Sequence, residues 1–333
     1  MNKFLVVIIL ALVACDADLD ALIFQQFQKF INKYNKKYDS ITEFLARYEI
    51  FKKNVLEISK VKREYKTGIT KFSDLTKQEF AKYLNINTGA MSNINNKPHK
   101  VKAIKDVPES FDWRDQGVIN PIKDQASCNS SWAFSIVDNL EGIYAINKGP
   151  LTMLSVQMII DCDNFDDGCN GGLMENGFDW VVKNGGGIMT ERDYPYEGTK
   201  GNCRSNPMKY IDMTIVGYVK LVGEHSTSTS TPFNEDEVLE FLYEIGPLPT
   251  VINATPLKDY TGGIIDLSPS DCPESGIDHY VTLVGYGSED GKDYWIVRNC
   301  WGINWGEDGY FRIKRGEQTC GINTLIITAT VDL

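Results

Sequence analysis

A charge boundary near residue 106 constrains this chain more than any other feature. Residues 16–106 carry 18 Lys/Arg against 11 Asp/Glu, net +7, whereas residues 107–333 carry 15 against 34, net −19. With Lys3 these sum to the net −11 of the 333-residue chain. Opposite signs on one chain favour a fold in which one segment covers the other, because complementary fields steer docking. Chance asymmetry between independent domains is the plainer alternative. An acidic chain has no general electrostatic grip on nucleic acid or anionic membrane, so neither is expected as a partner. With 42% hydrophobic and 24% charged residues the composition is globular, and the length allows about two domains.

The N-terminus points to a compartment. Lys3 is followed by an unbroken apolar run, Phe4 to Ala14. That run is too short for a membrane span, which needs about 20 residues, and fits the core of a signal peptide over residues 1–15. A buried strand leaves the Lys-then-apolar order unexplained, and Leu12-Val13-Ala14-Cys15 matches a lipid-attachment box only in a bacterial source. The expected location is the secretory pathway, ending outside the cell or in a lysosomal or endosomal lumen. Eight Cys with three His argue there for disulfides rather than a zinc cluster. No metal and no cofactor are expected.

The basic segment, residues 16–106, reads as helical. Phe24, Phe27, Phe30, Ile31 and Tyr34 recur at three- and four-residue spacing, as do Phe44, Tyr48, Phe51, Val55 and Ile58. Asn85 to Lys105 turns polar and reads as an exposed linker open to proteolysis. In residues 107–333, helical periodicity over Trp132–Ala145 and Glu235–Tyr243 gives way to strand-like runs. These are Thr250–Ile252, Tyr280–Tyr286, Tyr294–Val297, Tyr310–Ile313 and Leu325–Val331. Helices first and strands later predict an α+β unit or two apposed subdomains.

Three islands carry chemistry: Gln125-Ala-Ser-Cys-Asn-Ser-Ser-Trp-Ala-Phe134, Asp278-His279 with the strand to Gly287, and Tyr294-Trp-Ile-Val-Arg-Asn-Cys-Trp-Gly302 continuing through Trp305 to Tyr310. Acyl transfer needs a nucleophile, a base, a group that orients the base, and donors for an oxyanion. His279 and Asn299 suit base and orienter. Together the islands resemble the papain family, in its cathepsin-L-like branch, and several local runs look closest to viral and insect cathepsins. Glu43, Arg47, Phe51, Asn54 and Ile58 match the helical signature of the family's propeptide, with Lys62 at its last Asn; Gly68, Phe72 and Asp74 echo a second signature, with Thr70 where Asn is usual. The resemblance implies a papain-like two-subdomain fold, helical on the left and β-barrel-like on the right, preceded by a helical inhibitory propeptide. It implies Gln125 as oxyanion donor and Trp301 as a ring over the His–Asn contact, with Asp278 and Trp305 also at the cleft. A monomer is expected, with its own propeptide and a peptide or protein ligand as cleft partners.

The nucleophile position is Ser131, where the family carries Cys. A helix N-terminus and His⁺ can hold a thiolate at a pKa of roughly 3.5–7.5, whereas a hydroxyl forms no standing ion pair. A cleft built for a C–S bond also misplaces oxygen, and about 1 Å can cost 10²-fold. Weak or no peptide hydrolysis is expected. Ala126 and Asn129 for Gly, Val156 for Glu, Tyr280 for a small residue and Cys300 for Ser also depart from the pattern. A trapping substitution would change one residue, so the cluster points to natural relaxation.

The family pairing implies Cys128–Cys169, Cys162–Cys203 and Cys272–Cys320; sequence alone allows fifteen pairings of six. Cys15 goes with the signal peptide or lies at its cut, and Cys300 is left as a free thiol, read as a buried filler rather than a displaced nucleophile. Gly171 and Gly172 resemble the run that pairs with an extended peptide by strand addition. Leu173, Met174, Val251, Ile277 and Leu325 match the main specificity pocket and favour an apolar or aromatic P2 residue; plain core packing is their alternative. Asn129 and Asn253 begin glycosylation sequons. Three readings compete: a papain-fold protein that binds peptides without cutting, a working endopeptidase of the cysteine cathepsin type, and a silicatein-like matrix protein, whose serine-rich surface is here only Ser226 to Thr231.

Overall fold

The computed structural model describes residues 3–84, 86, 107–222 and 235–332, with side chains from residue 18 onward. The expected signal-peptide side chains, the linker and the Ser/Thr run lie outside these residues. Among the described residues no helix is long and apolar enough to cross a membrane.

The basic segment opens with α1 (Lys3–Lys33) and α2 (Ile41–Lys60). Their aromatic faces meet, as the spacing predicts, around Phe27, which lies 5.1–6.0 Å from the rings of Phe30, Tyr38, Phe44, Tyr48 and Phe51. Helix α2 starts sharply because the Ser40 hydroxyl accepts the Glu43 N–H while the Glu43 carboxylate accepts the Asp39 N–H. The short strand β1 (Lys66–Thr67) follows, then the single-turn α3 (Lys77–Ala81), started by a reciprocal Thr76–Glu79 capping box. Asn54, from the helical signature, reaches the carbonyls of Ser73 and Leu75, and buried Asp74 accepts from Lys36 and Tyr38. The signature residues therefore fold the strap between β1 and α3 against the helices.

After residue 106 come β2 (Phe111–Asp112), α4 (Ser131–Asn147), α5 (Val156–Cys162), α6 (Met174–Lys183), β3 (Gly187–Met189), β4 (Tyr210–Asp212) and β5 (Ile215–Val222). Then come α7 (Glu235–Ile245), β6 (Leu248–Ile252), β7 (Tyr260–Gly262), β8 (Ile264–Ile265), β9 (His279–Glu289), β10 (Lys292–Arg298), β11 (Tyr310–Lys314) and β12 (Ile326–Val331). Eight strands form one sheet in the order β5-β12-β6-β9-β10-β11-β8, with β2 beside β9. Its pairs are antiparallel except β11–β8. Helices α4, α5 and α6 make the other half, so the fold is the α+β, papain-like arrangement that the resemblance implies. The five expected strand runs fall in strands, except that Leu325 lies one residue before the start of β12. Strand β5 carried no sequence signal because Gly217 and Lys220 interrupt its apolar pattern; Lys220 is buried against Glu175, 2.8 Å away.

Polar pins hold the halves in register. Arg298, at the end of β10, is 2% exposed and reaches Asp138 of α4 at 2.9 Å, with the Asn120 and Pro121 carbonyls as further acceptors. Asn139 of α4 donates to the Pro247 carbonyl and Thr328, and accepts from the Ala329 N–H of β12. The disulfides are Cys128–Cys169, Cys162–Cys203 and Cys272–Cys320, and Cys300 is a buried free thiol. Sequence separations of 41, 41 and 48 residues correspond to about 4 kcal/mol each in the chain-entropy account.

Candidate active site

The base sits where two strands converge. Register pairs His279, the first residue of β9, with Ile252 of β6. Asn299 follows the last residue of β10. Its Oδ1 lies 2.9 Å from His279 Nε2 and accepts the Cys300 N–H at 2.8 Å, which pins the amide. An acceptor at Nε2 requires that nitrogen to carry the proton, leaving Nδ1 as the basic nitrogen. Nδ1 has no hydrogen-bond partner among the described residues. The Trp301 ring covers the pair, its centroid 4.7 Å from the imidazole at 32°. Burial lowers the His279 pKa to about 4, against the opposing bond from Asn299, so the ring is neutral above that pH.

Ser131 opens α4, a helix whose residues Ser131 to Ile143 are all buried. At this first position the backbone N–H has no intrahelical acceptor, and the helix N-terminus places partial positive charge there. The Ser131 hydroxyl accepts the N–H of Tyr280, the residue after His279, at 3.4 Å. The helix thus delivers a hydroxyl to the strand that carries the base. The disulfide partner of Cys128 fixes the preceding turn: the Asn129 N–H donates to the Cys169 carbonyl at 3.1 Å.

Gln125, the expected oxyanion donor, is fully buried. Its Nε2 donates to the Cys128 carbonyl at 2.8 Å, and its Oε1 lies 2.9 Å from the Cys300 thiol. Burial raises the Cys300 pKa well above normal, so the sulfur stays protonated and donates. Cys300 therefore orients Gln125 and has no thiolate with which to attack, as the filler reading anticipated. No sequence motif announces this contact, because residues 125 and 300 meet only in the fold.

The groove side is set by glycine. Gly171 has φ 103°, and a Cβ on Gly172 would stand 2.7 Å from the Trp132 ring and 2.8 Å from the Asp166 carboxyl carbon. Asp166 accepts from the Leu173 N–H and from Asn176, holding this loop to α6. Burial first, then neighbouring Asp163, pushes the Asp166 pKa up to about 7, with Asn176 opposing. Met174 and Val251 are buried, and Ile277 and Leu325 pack half-buried against the same core. Trp305 lies 4.8 Å from Trp301 and donates to the Leu257 carbonyl.

Two side chains near the base are tied into the fold. The Asp278 carboxylate accepts the Ala254 N–H at 2.7 Å and the Thr255 hydroxyl at 3.3 Å, so it buttresses a turn. Asn253 is 6% exposed, and its Nδ2 donates to the Pro273 carbonyl and abuts Gly276. That nitrogen, the one a glycan would occupy, has no room for a sugar. At Asn129 the side-chain oxygen is buried without a partner among the described residues.

The basic segment lies directly on this site. Strand β1 pairs with β7, the Gly68 N–H donates to the Asp259 carbonyl, and Thr70 donates to the Lys258 carbonyl. Lys71 binds Asp124 and the Trp301 carbonyl. Phe72 and Phe80 press edge-on against Trp301 at 5.0 and 5.7 Å. The opposite charges of the two segments thus meet at the ring that shields the base, an arrangement in which the N-terminal segment obstructs the cleft.

Comparison with known proteins agrees with this geometry. Residues 107–330 match the papain family cysteine protease domain, and residues 27–80 match the cathepsin propeptide inhibitor domain. The chain is 37% identical over 344 residues to a viral cathepsin of Epiphyas postvittana nucleopolyhedrovirus, covering all of both chains. It is also 37% identical to the probable cysteine protease RD19B of Arabidopsis thaliana, over 91% of this chain and 85% of that one. The digestive procathepsin L 3 of Tenebrio molitor larval midgut superimposes with a TM-score of 0.82 at 34% identity, over 93% of this chain and 99% of that one.

Proposed function

Because the chain belongs to the papain family, as a cathepsin-L-like member with its inhibitory propeptide, we propose that it is a secretory zymogen whose cleft still receives peptides but hydrolyses them weakly or not at all. Residues 1–15 act as signal peptide, 16–106 as propeptide and 107–333 as the mature domain. Ser131 takes the nucleophile position. The reading rests on one observation: a hydroxyl opens α4 next to the base strand. The Ser131 alcohol must lose its proton during attack, to an imidazole that nothing in the site holds charged. His279, Asn299 and Gln125 keep the roles of base, orienter and oxyanion donor, and Gly171–Gly172 the role of backbone partner for an extended chain. Cys300 cannot substitute, because its thiol is buried and protonated.

One observation favours residual endopeptidase activity instead: the base–orienter pair is geometrically intact, with Nδ1 free. Incubation of the purified full chain at acid pH decides between the readings. The unaltered chain should leave its linker near Lys105 and a casein substrate uncut, and Ser131→Cys should cut both. Self-processing by the unaltered chain, abolished by Ser131→Ala, would overturn the proposal.

A further inference from the structure

We propose that Tyr280 is the specificity-determining residue of the cleft: its side chain fills the apolar pocket from within, so the groove takes an extended peptide with glycine or alanine, not a large apolar residue, at P2. The inference rests on the peptide-cleft reading above and deepens it.

The register between β6 and β9 places Tyr280 directly opposite Val251. Residues so paired project their side chains from the same face, about 4.5–5.5 Å apart at Cβ. Val251 belongs to the sheet half. Burial raises the Tyr280 pKa well above normal, and the backbone of Met174, the first residue of α6 in the helical half, opposes that rise, so the phenol lies near the start of α6. The side chain therefore leaves the sheet wall and ends near the helical one. It is 2% exposed and shares one buried cluster with Met174 and Val251, against which Ile277 and Leu325 pack. These are the side chains expected to hold an apolar P2 residue. A Tyr side chain buries roughly 150–250 Å², about what a ligand's own aromatic residue would bury in the same place. The chain thus supplies intramolecularly the group that the pocket would otherwise take from a peptide. Tyr280 leaves the Gly171–Gly172 backbone its proposed role in strand addition, so a peptide whose P2 residue ends at Cβ can still lie along it once the N-terminal segment has moved off.

The test uses full-length chains carrying Ser131→Cys, at acid pH, with two fluorogenic peptides that differ only in Leu or Gly at P2. With Tyr280 present the Gly peptide should be cut with the higher kcat/KM. Adding Tyr280→Gly should shift the preference toward Leu by about 10- to 200-fold, the range that apolar contacts in a pocket discriminate. A preference for Leu with Tyr280 in place would overturn the inference. If the Ser131→Cys chains cut neither peptide, the reading of the cleft chemistry fails, and the pocket is decided in the Ser131 chain. There Tyr280→Gly should regain melting temperature, or recover its fold, on addition of p-cresol, the missing side chain, while Tyr280→Phe should not respond. Indifference of Tyr280→Gly to p-cresol would show that the ring fills no closed pocket, and would equally overturn it.

Discussion

The two walls of the cleft have diverged to different degrees. On the sheet wall, His279, Asn299 and Trp301 keep a complete arrangement: a pinned amide, a defined tautomer and a covering ring. On the helix wall the proposed nucleophile position holds the hydroxyl of Ser131, Ala126 and Asn129 stand where the family resemblance implies glycine, and Tyr280 is the residue proposed to reach across from the sheet. The difference separates what the fold needs from what the chemistry needs. Asn299 and Trp301 also pack against the sheet and the propeptide, so changing them disturbs the structure. Exchanging hydroxyl for thiol at the first residue of α4 should, by contrast, disturb little except reactivity.

The contrast can be broken at its seam first. Asp138→Ala strands buried Arg298 between the walls, and removing one partner of a buried pair typically costs about 3–5 kcal/mol. Chemical denaturation should show that loss, and Asp138→Asn, which keeps an acceptor, should show less. Next, in a Ser131→Cys background, Asn299→Ala frees the imidazole to choose its tautomer, and kcat/KM should fall by about 10²-fold or more. An unchanged rate would mean that the sheet wall is not the working half.

The third prediction concerns pH. Folding raises the Asp166 pKa from its unfolded value near 3.9 to about 7, so the folded state binds this proton more tightly. The associated stability is present below pH 4 and is lost as pH rises through 7. Allowing for the partly solvated site, the loss is about 1–2 kcal/mol, or about 2–4 °C per kcal/mol in Tm. Comparing melting at pH 5 and pH 8, Asp166→Asn should remove that part of the dependence. Smallest is Ala126→Gly: Ala126 has φ 53°, and relieving a left-handed alanine should stabilise by about 1 kcal/mol.

Residues whose meaning is local were legible in the sequence. The aromatic spacing of α1 and α2 and the apolar runs of β9 to β12 read directly, because each is a property of consecutive residues. The family pattern located His279 and Asn299, and the disulfide pairing came with it. What stayed hidden depends on contacts distant in sequence. A sequon is three adjacent residues, whereas the burial of Asn253 is made by Pro273 and Gly276. Asp278 reads as a cleft residue beside His279, yet its carboxylate is oriented by Ala254 and Thr255. Lys220 disguised β5 because its partner Glu175 lies on α6.

Trp301 serves two masters at once, since Phe72 and Phe80 rest on the same indole that roofs His279. Shedding the leader therefore cannot leave the imidazole as it was. With Phe72 and Phe80 gone, the burial that lowers the His279 pKa should lessen, and the affinity of the ring for a proton should rise. The unmasked protein is in this sense a stronger base than its precursor, whatever atom stands opposite.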